Sequence, residues 1–287
     1  MTGPGGITHV SDTARWVACY RALETERPDA IFSDPWARRL AGEQGFRILD
    51  AMPGGRTMSW PLVTRTAVMD EIILRCIRND AIDTVLDLAA GLDARPWRLD
   101  LPATLRWIDV DLPDMLDYKQ SMMAGEQPRC LYEPHRVDLG DGFARRELLR
   151  AVGASAKRVL VITEGLLIYL NEQQVTNLAR DLHDVPAMQL WLTDLASPAL
   201  LQMMEKNWAP AARAGNAPFQ FGPADGPAFF GALGWREVEY RSTFHEGRRL
   251  GRTMKLGWLW ALLDRISPAA RREAFKRFST IVLYQRK

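Results

Sequence analysis

The stretch at residues 85–93, VLDLAAGLD, decides the fold of this chain. It begins as an apolar strand and runs into a turn of small residues. Small side chains let a backbone approach a ligand closely, and in an open parallel sheet ligands bind at the carboxyl ends of the strands. The turn lacks the GxGxxG pattern, because Ala89 and Ala94 stand where glycines are expected. The stretch therefore predicts a ligand-binding turn and disfavours a pyrophosphate cradle.

Similar apolar runs recur along the chain and alternate with helical patterns. The clearest helix is predicted over 171–184, where Asn171 can cap and apolar residues repeat at helical spacing. Strand and helix in alternation predict an α/β fold, in which helices cover both faces of a mostly parallel sheet. The strands are predicted at 84–89, 105–110, 158–163, 188–195, 235–241 and 280–285, with a weaker run at 135–139.

The first eighty residues interrupt this rhythm. Helices are predicted over 11–21 and 64–78, with proline-containing loops between them, so residues 1–80 are interpreted as an N-terminal helical cap. Residues 81–287 then form the sheet domain of the same structural unit, with a C-terminal helical insertion before the last strand. Residues 197–234 are rich in Pro, Gly, Met and aromatic residues, which is typical of a lid over a substrate pocket or of packed connecting helices.

The composition is that of a soluble globular protein, since 47% of its 287 residues are hydrophobic and 25% are charged. This excludes a disordered chain or a repeat scaffold. The three cysteines form no CxxC pair, which argues against a disulfide framework and a zinc site and favours the cytoplasm. We expect no signal peptide and no membrane span, because no apolar run reaches about 18 residues.

The formal charge of +2 hides an asymmetry between two parts of the chain. Residues 241–287 carry twelve Lys or Arg against three acids, a net +9, and residues 1–240 carry a net −7. A near-neutral total argues against nucleic-acid binding. The basic C-terminal segment could still attract nucleic acid, an anionic membrane surface or an acidic carrier protein, although such charge runs are usually solvated helix faces.

Acidic residues end the predicted strands that follow the glycine turn. Asp109 and Asp111 close the second strand, and Asp111 lies twenty residues after Gly91, the spacing at which a carboxylate accepts hydrogen bonds from ribose hydroxyls. We expect one of these two acids to be a solvated strand end. Asp138 and Glu164 end the next two strands. The pattern indicates a ligand that contains adenosine.

An acidic lining suits a cationic ligand, whereas it would repel a pyrophosphate. S-adenosyl-L-methionine, which carries a sulfonium and an amino group, is such a ligand. Arg65, ahead of the first strand, is a candidate partner for its carboxylate. A nicotinamide-dependent oxidoreductase is the alternative, because dinucleotide domains share the strand, the turn and the distant acid. The missing glycines and the later acids argue against it.

Several motifs together resemble the leucine carboxyl methyltransferase family. The likeness is closest to its bacterial branch of small-molecule O-methyltransferases and covers about residues 10–195, in the family's order. The motifs are Asp12-Thr13-Ala14, Arg21-Ala22-Leu23-Glu24 through Asp34-Pro35, Arg65 within TRT, Leu86 to Arg95, Val110-Asp111-Leu112-Pro113, Val137-Asp138-Leu139 and Thr163 to Leu170.

The resemblance implies a class I methyltransferase fold, which is Rossmann-like. It also implies that S-adenosyl-L-methionine contacts Arg65, Gly91, Asp111, Asp138, Leu139 and Glu164. Two of the predicted pocket residues could have a different, structural role. Glu164 could instead cap the following helix, and Tyr169, which we place in the acceptor pocket, could instead be a core aromatic. The lysine of the members that methylate a protein phosphatase is not evident at 15–18, which argues against a protein substrate.

The resemblance further implies O-methylation of a small natural product, for example a polyketide. A carboxylic acid, with a pKa near ~4, is ionised at neutral pH, whereas a phenol, with a pKa near ~10, needs a base or a cation. None of the four histidines falls in a catalytic motif. We therefore expect a carboxylate acceptor and name no catalytic base. A phenolic hydroxyl is the alternative acceptor.

Overall fold

The computed structural model describes residues 10–52, 54–214, 218–254, 268 and 276–287. The strands within these ranges form one sheet in the order β3-β2-β1-β4-β5-β7-β6. The first five strands are parallel, and β7 pairs antiparallel with β5 and β6. The strands are β1 (Thr84–Leu88), β2 (Arg106–Asp111), β3 (Leu131–Arg136), β4 (Val159–Thr163), β5 (Met188–Ala196), β6 (Trp235–Ser242) and β7 (Ser279–Arg286).

Helices precede the sheet and connect its strands. Short 3₁₀ turns occur at Gly55–Met58, Leu167–Tyr169 and Gly226–Leu233. The α-helices in the described ranges are α1 (Val10–Thr25), α2 (Ala37–Ala51), α3 (Ser59–Asn79), α4 (Arg95–Arg98), α5 (Pro113–Met122), α6 (Gly142–Ser155), α7 (Glu172–His183), α8 (Pro198–Ala214) and α9 (Thr243–Arg249).

The central strands are buried on both faces, as expected for a parallel sheet between two helical layers. All five residues of β1 and all five of β4 are buried. Because side chains alternate along a strand, Leu86 packs with α6 and α7 on one face, and Val85 packs with α3 on the other. The predicted α/β class and the predicted parallel sheet are confirmed.

Two local predictions need correction. The weak strand predicted at 135–139 lies instead at Leu131–Arg136, so residues 137–139 belong to the loop after it. β3 is an edge strand with partly exposed residues and contains Pro134, and for these reasons it has no apolar run to mark it. Helix α2 was not predicted at all, because Gly42, at φ +59°, interrupts its periodicity.

The predicted helix start at Asn171 is confirmed. Its side chain accepts a hydrogen bond from the backbone N–H of Gln174 at 2.9 Å, and the Gln174 side chain accepts one from the Asn171 N–H at 2.8 Å. This reciprocal pair satisfies two donors that the helix itself leaves free. Asn171 caps α7, and Glu164 does not.

The predicted lid region contains α8 and the 3₁₀ turn at Gly226–Leu233. Phe230 in that turn is fully buried, and its ring centre lies 5.0 Å from that of Trp191 in β5, so this part is a packed connection. The division of the chain at residue 80 stays a prediction. Much of the basic C-terminal segment, residues 255–267 and 269–275, lies outside the described residues. Within the described ranges, no helix has the length and apolar character needed to cross a membrane.

Candidate functional site

A cavity of about 1150 Å³ opens at the carboxyl ends of β1, β2, β4 and β5. This is the edge at which open α/β sheets bind their ligands. All seven residues predicted from the sequence line this one cavity. They are Arg65, Gly91, Asp111, Asp138, Leu139, Glu164 and Tyr169.

Helix α1 packs against the turn that follows β1. A Cβ added to Gly91 would lie 3.2 Å from the Cβ of Ala14, which leaves no room for a larger residue. Arg21 donates from Nη2 to the carbonyl oxygen of Leu92 at 2.5 Å and from Nε to Asp34 at 2.8 Å. Arg21 and Asp34 of the N-terminal motif therefore form a buried ion pair, and Arg21 also binds α1 to the turn.

Ala89 takes a left-handed conformation, at φ +56°, in the place where the sequence pattern led us to expect glycine. Gly91 is also left-handed, at φ +50°. An L-residue with a side chain pays a steric cost in this region, which glycine avoids. The turn thus keeps the backbone shape of a glycine turn although alanine occupies the first position.

Asp111, at the end of β2, is bound to the glycine turn. Its Oδ2 accepts from the Gly91 N–H and its Oδ1 from the Leu112 N–H, both at 2.7 Å. Burial raises the pKa of this carboxyl, and the two backbone donors oppose the shift. Each carboxylate oxygen has more than one acceptor site, so Asp111 can still accept from the hydroxyls of a ribose.

Asp109 is not a solvated strand end, contrary to one of our expectations. It is fully buried, and its Oδ2 accepts from Lys119 Nζ at 2.5 Å and from the Tyr132 hydroxyl at 2.7 Å. Side chains alternate between the two faces of a strand, so Asp109 and Asp111, two residues apart, lie on the same face. Their roles differ because Asp109 is more deeply buried than Asp111. Asp109 anchors α5 and β3, and Asp111 lines the cavity.

Asp138 and Leu139 lie at the outer rim of the cavity, in the loop after β3. The exposed Asp138 carboxylate accepts from the Gly140 N–H at 2.8 Å. The Leu139 carbonyl oxygen accepts from Arg145 at 2.6 Å. These contacts shape a rim loop that presents a carboxylate to the cavity.

Arg65 and Glu164 form an ion pair that a third residue completes. Arg65 donates from Nε to Glu164 and from Nη1 to Asp194, each at 3.0 Å. Asp194 also accepts from the Gly165 N–H at 2.6 Å. Asp194 was not predicted from the sequence, although it ends the strand predicted at 188–195 as the other acids end theirs. Two nitrogens of Arg65 are thus already bound by the protein's own carboxylates.

Arg95 connects the Arg65–Glu164 ion pair to a larger cluster of buried charged residues. Its guanidinium contacts Asp70 and Asp93 at 2.6 Å and Glu164 at 2.8 Å. Burial alone would raise the pKa values of Glu164 and Asp93, but the attraction of the nearby arginines, Arg95 foremost, holds both below their usual range. Arg95 belongs to the motif quoted from the sequence, but its role became visible only from these contacts.

The cluster carries one net negative charge. It consists of three arginines, Arg65, Arg95 and Arg98, and of four carboxylates, Asp70, Asp93, Glu164 and Asp194. A buried excess of one negative charge is costly unless a cation approaches it. The donor set therefore fits a ligand with a sulfonium and an amino group, while Asp111 fits its ribose.

Tyr169 lies on the 3₁₀ turn after β4, where its ring centre is 5.7 Å from that of Phe219. Its hydroxyl contacts Thr13 of α1, and burial raises its pKa. Both Thr13 and Tyr169 line the cavity. Tyr169 thus joins α1 to the segment after β4, whichever of its two suggested roles it has.

Asp87 was also missed by the sequence analysis. It is 2% exposed beneath the glycine turn, where burial, followed by the neighbouring Asp93 and Asp109, raises its pKa well above the usual range. A carboxyl in the middle of an apolar strand is a signal that the sequence did contain.

Two comparisons relate this chain to known proteins. The profile of the leucine carboxyl methyltransferase family matches residues 14–183. A protein of Parafrankia sp., assigned by name to the S-adenosyl-L-methionine-dependent methyltransferases, is 33% identical over 83% of this chain and 80% of its own length. A protein of Rhodococcus jostii with the same assignment is 38% identical over 57% of this chain and 58% of its own length.

Solved structures show the same fold. A DUF574 family protein from Streptomyces avermitilis superposes with a TM-score of 0.59 over 96% of this chain and 97% of its own, at 12% identity. A protein from Thermobifida fusca described as a methyltransferase has the same TM-score over 96% and 94% of the two chains, at 13% identity. The prediction of S-adenosyl-L-methionine as cofactor is confirmed at the level of the family. On its sequence, this chain belongs to the leucine carboxyl methyltransferase family.

Proposed function

We propose that this protein transfers the methyl group of S-adenosyl-L-methionine to a carboxylate oxygen of a small molecule, forming a methyl ester. The observation that carries the proposal is the set of titratable groups in the cavity. Among the described residues that line it, the titratable side chains are arginines, carboxylates and one tyrosine, without histidine, lysine or cysteine. The described lining thus lacks histidine, the side chain that most often acts as a base near neutral pH.

An acceptor that is already ionised suits such a site. A phenol, with a pKa near ~10, is only about 0.1% ionised at pH 7, a deficit of roughly 4 kcal/mol that a base or a cation must offset. Glu164 and Asp93 are poor bases, because the arginines lower their pKa values. Tyr169 stays protonated, because burial raises its pKa. A carboxylate needs no base, and holding it in line with the methyl group is most of the task.

The residues of the cavity then have separate tasks. Asp111 accepts from the ribose, the Asp138–Leu139 loop borders the adenine side, and the cluster around Arg65 and Glu164 faces the charged end of the cofactor. The cofactor, when bound, supplies a methyl group on a cationic sulfur. Because transfer to a carboxylate neutralises both charges, a dry site of low dielectric favours this transfer.

The proposal is tested with methyl-labelled S-adenosyl-L-methionine and a panel of free carboxylic acids and phenols. We expect label in a product that mild alkali cleaves with release of methanol, because esters hydrolyse and aryl ethers do not. The rate with an acid substrate should be flat between pH 6 and 8, whereas proton removal from a phenol would raise it about tenfold per unit. Asp111→Ala is the inactive control. A labelled product that resists alkali would refute carboxylate methylation and support the phenol.

Among the functions considered, a nicotinamide-dependent oxidoreductase has no support from the family. The acidic carrier protein stays a prediction, because part of the basic C-terminal segment, residues 255–267 and 269–275, lies outside the described residues. A small-molecule acceptor is the partner that the enclosed cavity favours.

A further inference from the structure

The cavity is larger than one small ligand requires. Its volume of about 1150 Å³ exceeds the ~300–1000 Å³ that is usual for a small-molecule site. The predicted cofactor residues all lie at the end of β2, in the segments that directly follow β1, β3 and β4, or at one position of α3. Part of the remaining lining comes from elements that carry none of these residues except Arg65, and we call this part of the cavity the second compartment.

The second compartment is apolar. Its walls come from the 3₁₀ turn before α3, the start of α3, the first turns of α8, helix α9 with the loop after it, and the start of β7 with the residue before it. Every described residue that these elements contribute beside Arg65 is uncharged. The side chains that determine its character are Met58, Trp60, Met203, Met204, Phe244 and Met254.

Two hydroxyls are the polar side chains of this wall, and they bind each other. The oxygens of Thr243 and Ser279 lie 3.0 Å apart. A hydroxyl pair of this kind carries no charge, and its mutual hydrogen bond leaves one O–H donor available to a ligand. It can bind a neutral oxygen on a ligand but offers no opposite charge to a second ionised group.

Helix α3 joins the two compartments. Pro61 and Arg65 are four residues apart, and therefore on one face of the helix, and both line the cavity. Arg65 reaches Glu164 and Asp194 at the ends of β4 and β5. Among the described residues of this wall, charged groups thus stop at Arg65, and the wall beyond it offers apolar side chains and one hydroxyl pair to the body of an acceptor.

We propose that the acceptor is a hydrophobic monocarboxylic acid, with its carboxylate towards the methyl group of the bound cofactor and an uncharged body in the second compartment. This inference rests on the proposed function, whose reaction it makes more specific. The methionines are flexible and polarisable, so the compartment adapts to several apolar bodies of similar size. A second charge on the body would lose its hydration without gaining an oppositely charged partner among the described residues of this wall.

The test compares acids that differ only in length or in one charge. Binding of hexanoic, octanoic, decanoic and decanedioic acid to the full-length protein saturated with S-adenosylhomocysteine is measured by titration calorimetry at pH 7. We expect affinity to rise about threefold to fourfold with each methylene group. Decanedioic acid, equal in length to decanoic acid but doubly charged, should bind at least about tenfold more weakly. Equal binding of these two acids, or affinity independent of length, would overturn the inference.

A charge placed in the wall provides a second measurement. Met204→Lys should reverse the preference, so that decanedioic acid binds more tightly than decanoic acid. Met122→Lys, on α5 and outside the lining, is the matched control and should leave the preference unchanged. If Met204→Lys does not fold, the comparison of the two acids on the unaltered protein still decides the matter.

Methyl transfer from labelled cofactor to the same acids separates this inference from the proposed function. Decanoic acid that binds but yields no ester, within a panel that yields none, would refute the proposed function and leave the apolar compartment standing. Esters formed equally well from short, long and doubly charged acids would support the proposed function and overturn the compartment.

Discussion

Replacing Ala89 with glycine should stabilise the protein, because this alanine occupies a strained turn. Its φ of +56° lies in the left-handed region, where a side chain costs about 1–2 kcal/mol. Glycine removes that cost, but its more flexible unfolded chain gives back about 0.5–1 kcal/mol. The expected net gain in the free energy of unfolding is therefore about 0.5–1 kcal/mol for Ala89→Gly.

The assay is urea unfolding of the ligand-free protein at 25 °C, followed by tryptophan fluorescence and supported by thermal unfolding. For a chain of this size the gain corresponds to a rise in Tm of about 2 °C. Ala81, exposed and at φ +51° between α3 and β1, provides a matched control away from the cavity. Ala81→Gly should gain a similar amount.

A second control separates strain from a general effect of glycine. The neighbouring Ala90 does not have a positive φ, so Ala90→Gly should destabilise the chain by about 0.5–1 kcal/mol. The reasoning is refuted if Ala89→Gly is no more stable than the unaltered protein while Ala81→Gly is stabilised. The reasoning is also refuted if Ala89→Gly and Ala90→Gly both lose stability by the same amount.

Three further predictions concern the charged groups. Glu164→Gln removes the net negative charge of the cluster, so calorimetry should show that affinity for S-adenosyl-L-methionine falls about tenfold. Affinity for S-adenosylhomocysteine, whose sulfur is uncharged, should fall less. Equal losses of affinity for the two ligands would contradict the electrostatic account. Because the pKa of Asp87 is raised in the folded state, folding holds its proton, and this contribution to stability is lost as pH rises through the raised pKa. Asp87→Asn should therefore gain stability relative to the unaltered protein between pH 4.5 and 8, and urea titrations that run parallel would disprove this. Arg252→Met should cost about 3 kcal/mol in denaturant unfolding, because it leaves the buried Glu24 without the guanidinium 2.6 Å away, and a cost below 1 kcal/mol would show that the pair is dispensable.

Much of the candidate site could be predicted because each residue follows a strand. Gly91, Asp111 and Glu164 come directly after, or end, apolar runs that are readable in one dimension. Parallel strands bring their carboxyl ends to one edge, so locating the strands locates the residues. Asp138 lines the cavity even though the strand before it was misplaced, because it follows β3 closely enough to stay at that edge.

The contacts that complete the site could not be predicted in this way. Asp194 meets Arg65 across 129 residues of sequence, and Arg95 joins Asp70 to Glu164. An ion pair leaves no periodic pattern, since any arginine in the chain could pair with any acid. The apolar compartment could not be predicted for a similar reason, because Trp60, Met204 and Phe244 belong to three separate helices that only the fold brings together.

The sequence by itself determined the α/β class, the family and the edge of the sheet at which the cavity lies, because hydrophobic periodicity and short motifs are local properties of a chain. Its charge asymmetry, however, acquired a meaning only in three dimensions. Three arginines of the basic C-terminal segment are paired with acids of the body: Arg241 with Glu239, Arg249 with Glu71, and Arg252 with Glu24. These three ion pairs thus neutralise part of the negative charge of the body within the molecule. Tertiary structure decided this, because a charge acts through its distance to other charges, and folding sets those distances.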